Sequence, residues 1–129
     1  MAQPNIVSVA SIYGQSVGAN LTTSDVAYIT VTAEYVVKVN LIQVANIDGT
    51  SAATCDVKLV KPDQDPIGIT DYAIDDTIYL AKTVNVPADD VLVVSDTPFY
   101  MMEADALSAL ASATSDLDII ISFEAILDS

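Results

Sequence analysis

At 129 residues and 13.6 kDa the chain has room for one domain and hardly two, and residues 1–129 are expected to form one. It carries 18 Asp and Glu against 4 Lys, with no Arg, His or Trp, for a net charge of −14. Its hydrophobic content of 52% and mean hydropathy of +0.47 argue against intrinsic disorder, which needs low hydrophobicity beside high charge. The lack of Lys/Arg clusters argues against binding to nucleic acid or to anionic membrane surfaces. The lack of His and Arg removes Ser-His-Asp triads, His-liganded zinc and arginine clamps.

The N-terminus has no basic region followed by an apolar run, so no secretory signal is expected. Residues 1–5 (MAQPN) read as a short polar arm, and Gln3, Pro4 and Asn5 are taken from it as interface candidates. The first strand is expected over residues 6–13, ahead of Gly14 and Gly18, and the second over 26–32. A third is expected over residues 35–46, with Val37, Val39 and Leu41 on one face and Lys38 and Asn40 on the other. A turn centred on Asp48 and Gly49 follows. The fourth strand, residues 53–61, places Cys55, Val57 and Leu59 inward and Asp56 and Lys58 outward. With the turn between them, the third and fourth strands read as a hairpin.

Residues 62–76 (PDQDPIGITDYAIDD) form a long acidic connection. A fifth strand is expected over 77–86, then a turn at 87–90, short strands at 91–94 and 99–102, and a last strand over 117–126. In that last strand Leu117, Ile119, Ile121 and Phe123 share one face, and Asp118, Ser122 and Glu124 the other. Residues 103–113 (EADALSALASA) carry two signals. Ala and Leu favour helix by propensity, whereas alternation through Leu107, Ala109 and Ala111 and the β surroundings favour a strand. Eight or nine short strands describe an all-β, two-sheet antiparallel β-sandwich. Periodicity does not choose between a jelly roll and an immunoglobulin-like Greek key.

Asp63, Asp65, Asp71, Asp75 and Asp76 are weak calcium candidates, because hard cations take several oxygens from such loops. The EF-hand glycine and closing glutamate are missing, and a solvated loop is the plainer reading. The D-x-D at Asp63–Asp65 matches metal-dependent sugar transferases, but the α/β organisation of those enzymes is absent. Asp89 with Asp90, or Glu103 with Asp105, could serve as a glycosidase pair, yet no aromatic sugar platform accompanies them. Turn and edge charges explain them more simply. Cys55 is the one cysteine, which excludes an internal disulfide and suits synthesis in a reducing cytoplasm. Without His it lacks a base, and it reads as a small buried side chain. No catalytic residue, cofactor or metal is therefore assigned. Of the six tyrosines, Tyr72, in the acidic connection, is the interface candidate.

Several stretches together resemble a family of small β-sandwich virion proteins of tailed bacteriophages. They are 45–54 (ANIDGTSAAT), 78–82 (IYLAK), 86–92 (VPADDVL), 98–101 (PFYM), 105–107 (DAL) and 116–124 (DLDIIISFE). The resemblance spans residues 40–126 and rests on the order and spacing of the pieces. It departs from the family at Ala104, where a glycine usually precedes the aspartate, so a turn with positive φ there would be strained. The resemblance implies a structural, non-enzymatic protein in a virion, foremost a capsid decoration (cement) protein on the head exterior. A homo-oligomer, with a trimer favoured, and contacts with the major capsid protein or other virion proteins are implied as well. The alternatives are a tail, neck or fibre-associated virion protein and, from another class, a calcium- or carbohydrate-binding module. Residues 1–62 hold four carboxylates against three lysines, and residues 63–129 hold fourteen against one. If the halves map to different surfaces, the first is expected to dock and the second to face solvent.

Overall fold

The computed structural model describes residues 9–62 and 77–128, and every regular element among them is a strand. They are β1 (Val9–Asn20), β2 (Val26–Thr30), β3 (Tyr35–Asn46), β4 (Ala53–Val60), β5 (Thr77–Val86), β6 (Val91–Ser95), β7 (Phe99–Met101), β8 (Ala106–Ala111) and β9 (Leu117–Asp128). The segment with two signals resolves as strand β8, because its alternating Leu107, Ala109 and Ala111 close one face of the core. Tertiary burial there overrides helix propensity.

The strands form two antiparallel sheets. One has the order β1-β9-β3-β6, with β7 also on β3, and the other the order β2-β8-β4-β5. The pairs β1–β9, β2–β8, β3 with β6 and β7, and β4–β5 are the rungs of one long two-stranded ribbon. The ribbon is rolled so that β9 meets β3 and β8 meets β4. That winding is a jelly roll, which settles the alternative left open by periodicity. The third and fourth strands are therefore not a hairpin: β3 and β4 lie in different sheets, and the turn between them carries the chain across the sandwich. Asp48-Gly49 specifies a turn but not which sheet receives the next strand.

Two local features shift the expected faces. The register between β3 and β9 slips between Val39 and Leu41, leaving Asn40 as an extra residue. Val37 and Val39 face inward before it, and Ile42 and Val44 after it, so Leu41 is only half-buried. Gly14 and Gly18 do not end β1 either; the strand runs through both to Asn20. The core contains Leu21, Val39, Ile42, Val57, Met101, Leu107, Leu117 and Ile121, each at most 1% exposed, drawn from both sheets.

The two ends of the roll are held by buried polar side chains. At one end Asn46, 4% exposed, donates from Nδ2 to the carbonyls of Ser51 and Val86, both at 2.9 Å. Its Oδ1 accepts from the Asp48 N–H at 2.8 Å, and its own N–H donates to the Asp90 carbonyl at 2.8 Å. Asp48 then caps the turn: its Oδ1 accepts from the Thr50 N–H and hydroxyl, both at 2.9 Å. These bonds, the backbone one first, hold the Asp48 carboxyl below its usual pKa. Gly49 lies close over Asp89, whose carboxylate would be 3.7 Å from an added Cβ. The N-x-DG-T and VPADD stretches that carry the resemblance thus clasp each other.

At the opposite end Asp105 is fully buried. Its Oδ2 accepts from Lys61 Nζ at 2.7 Å and from the Met102 N–H at 3.0 Å. Just before it Ala104 adopts φ 74°, so the turn keeps its left-handed geometry without the glycine. Its N–H donates to the Val31 carbonyl at 2.9 Å, and the Val31 N–H donates to the Asp105 carbonyl at 2.9 Å, which leaves the turn no freedom to reshape.

Asn46→Ala removes three side-chain hydrogen bonds at a buried site and is expected to lower unfolding free energy by about 2–4 kcal/mol, read as a fall in the urea midpoint. Ala104→Gly relieves the left-handed strain and is expected to raise stability by about 1 kcal/mol in the same assay.

Candidate functional site

The charged side chains are largely committed within the fold. Lys58 Nζ lies 2.5 Å from Asp25 Oδ2, and Lys61 is bound to Asp105. Lys38 reaches Glu124 at 4.0 Å, and Lys82 sits over the Tyr79 ring at 4.3 Å. Since the chain has no Arg or His, no side-chain cation is left without a partner. Many carboxylates hold backbone or amides: Asp56 accepts from the Thr83 N–H at 2.7 Å, and Asp118 from Asn20 Nδ2 at 2.9 Å.

The carboxylate pairs considered for glycoside chemistry are placed by the same logic. Asp90 accepts from the Val91 N–H at 2.8 Å in its turn, while Asp105 is sealed in the core beside Lys61. Among the described residues no group of three or more His, Cys, Asp or Glu could hold a metal ion. The calcium candidates Asp63, Asp65, Asp71, Asp75 and Asp76, and the interface candidates Gln3, Pro4, Asn5 and Tyr72, lie outside the described residues.

The concave feature that sequence reasoning missed lies on one side of the sandwich, where β1 and β2 are the edge strands of the two sheets. An open groove of about 360 Å³ runs between them. On β1, Tyr13 pairs with Ala125, Gln15 with Phe123 and Val17 with Ile121, so these three side chains point to the groove side. On β2 the register slips between Ala27 and Ile29, and Tyr28, the residue passed over, lines the groove with Thr30. Tyr35, at the start of β3, completes the wall, and Ile29, Val37 and Phe123 form the buried floor.

None of the twelve lining residues is charged, in a chain where 17% of residues are. The floor is apolar, and the rim offers phenol, amide and threonine hydroxyl groups. Partial burial, and then the Asp25 carboxylate, push the Tyr28 phenol above its usual pKa, so it stays a neutral hydrogen-bonding group. The arrangement suits recognition of a partner surface: aromatic side chains with an apolar body and polar tip, and no nucleophile beside a base. The signal was present in the sequence. The first charged residue of the chain is Asp25, so the whole of β1 and the turn after it are uncharged.

Charge does not divide by sequence halves as expected. Each sheet takes strands from both: β1 and β3 lie with β6, β7 and β9, and β2 and β4 lie with β5 and β8. The mapping fails because the ribbon's two arms alternate across the roll. The uncharged side is an edge, not a face.

No family model matches the chain, and no curated protein matches it. Among solved structures it is similar to one from Bacillus, described as endospore appendages that form a family of disulfide-linked pili. The identity is 12% and the TM-score 0.46, over 92% of this chain and 88% of that one.

Cys55 is fully buried and free, and burial, with the Asp56 charge second, pushes its thiol up to about 11. Native protein treated with a thiol reagent at pH 8 is expected to remain unmodified, with full reaction after denaturation; rapid native labelling would contradict this burial.

Proposed function

We propose that the chain is a non-enzymatic structural protein of a virion, a capsid decoration protein that binds the outside of a tailed-phage head and stabilises it. The observation that carries the reading is the distribution of charge. Every side-chain cation is engaged within the fold, and one side of the jelly roll presents an uncharged, tyrosine-lined groove. A protein that works by docking needs a rigid sandwich, a neutral contact surface and a repellent, soluble remainder. The two-sheet sandwich, the uncharged groove and the surplus of carboxylates support that reading.

The virion context comes from the resemblance over residues 40–126. Its motifs clasp the loops at one end of the roll, so they support a shared scaffold, and the docking side lies elsewhere. A surplus of negative charge disfavours lying against packaged DNA and favours the outer surface of the head. The partner on this reading is the major capsid protein. Contacts at its subunit junctions stabilise the shell by binding the assembled state in preference to the dissociated one.

Copy number in purified particles tests the proposal. Quantitative mass spectrometry is expected to find hundreds of copies per particle, with antibody label over the head. A handful of copies confined to the tail or neck would replace this reading with a tail-associated role, and absence from particles would end both.

A further inference from the structure

We propose that β1 is the interface of a symmetric dimer. The β1 strands of two copies pair antiparallel about a two-fold axis at Ser16, and the two five-stranded sheets become continuous. The inference does not depend on the virion reading.

The first ground is the edge itself. Among the described residues β1 pairs with β9 alone, and none of them pairs with the backbone N–H and C=O groups on its other side. An edge of 12 residues is a template for another strand unless something blocks it. The usual blocks are lysines, other charges, proline and bulges. β1 (VASIYGQSVGAN) has no charged residue and no proline, and its one register slip is at the Val9 end. Ile12 and Tyr13 on it are 58% and 47% exposed.

The second ground is charge. Two copies of a chain with net charge −14 repel wherever carboxylates meet. The sandwich edge formed by β5, β6 and β7 is flanked by Asp89, Asp90 and Asp96. β1 can meet β1 in any register without opposing two charges. The nearest stacked carboxylates, Asp118 and Glu124, lie one strand inward on β9. Across the junction, carboxylates on the two β9 strands are at least three strand spacings apart, about 14 Å, which exceeds the screening length of about 8 Å at physiological salt.

The third ground sets the register. Opposed residues in an antiparallel pair share a face, so the axis passes at a residue. Gly14 and Gly18 are equidistant from Ser16. An axis there sets Gly14 against the partner's Gly18, and Tyr13 against the partner's Ala19. Among the described residues nothing calls for glycine at position 14: an added Cβ would meet none of their atoms within 4 Å, and φ is not left-handed. A glycine in a strand often marks the close approach of another backbone, and pairing between copies supplies one.

The test uses the full chain. Sedimentation is expected to give twice the monomer mass, in place of the trimer that the resemblance implies. Ser16→Cys is expected to cross-link under mild oxidation, because opposed Cα atoms about 4.5–5.5 Å apart suit a disulfide. The buried Cys55 does not compete. Ile12→Cys, which falls far from its own copy across the axis, is expected to stay uncross-linked. Ser16→Lys sets lysine against lysine and is expected to give the monomer mass with an unchanged circular dichroism spectrum. A monomeric or trimeric wild type overturns the proposal. So does a dimer that Ser16→Lys leaves intact, or one that Ser16→Cys fails to cross-link.

Discussion

The seam between β3 and β9 holds the roll closed. Its register runs from Tyr35 opposite Leu127 to Asn46 opposite Leu117, the full length of β3. Without it the chain would be a two-stranded ribbon, which is marginal in water because neither face is covered. With it, Val39, Ile42 and Val44 from early in the chain lie beside Ile119, Ile121 and Phe123 from its end, and the second sheet covers them. Every other pairing is either a rung of the ribbon or the matching β4–β8 seam in the opposite sheet. Closure therefore joins residues far apart in sequence. Such topology folds slowly, because loop entropy is lost before the contacts that reward it are made.

The ends of the roll show how a hydrophobic sandwich disposes of its polar backbone. Asn46 and Asp105 sit at opposite ends, both buried, and each satisfies groups from more than one loop. One is neutral and the other is an ion pair, but the physics is the same: a buried polar group persists when its partners are supplied by the fold. The engagement of all four lysines has a functional consequence. An acidic chain that spends its cations internally keeps most of its surface repellent. The strip without charge is the β1 and β2 side, where the groove lies.

Much of the secondary structure was legible. The third strand, residues 35–46, and the fifth, residues 77–86, have the expected bounds, and the inward set Leu117, Ile119, Ile121 and Phe123 is buried. These segments are long and alternate in the period of a strand. The failures have definite causes. Leu41 was misplaced because a one-residue bulge at Asn40 reverses the faces beyond it, and no local rule marks the bulge. The hairpin was wrong because a turn signal does not carry the identity of the next strand's partner. The groove was not legible because its signal is an absence, the lack of charge before Asp25. Tyr13, Tyr28 and Tyr35 come together only when β1, β2 and β3 are placed.

The sequence by itself determined the class of the fold, its negative surface and the exclusions that follow from having no His or Arg. Those properties depend on composition and on alternation within single segments, which are local. The tertiary structure decided the jelly-roll winding, the clasp between the turns near Asp48 and Asp89, and the interleaving of the charge-poor and charge-rich halves. It also decided that an uncharged strand near the N-terminus would stand at an edge. In a buried position β1 would be core; among the described residues it pairs with β9 on one side only, and that placement follows from the winding, not from the strand's own sequence.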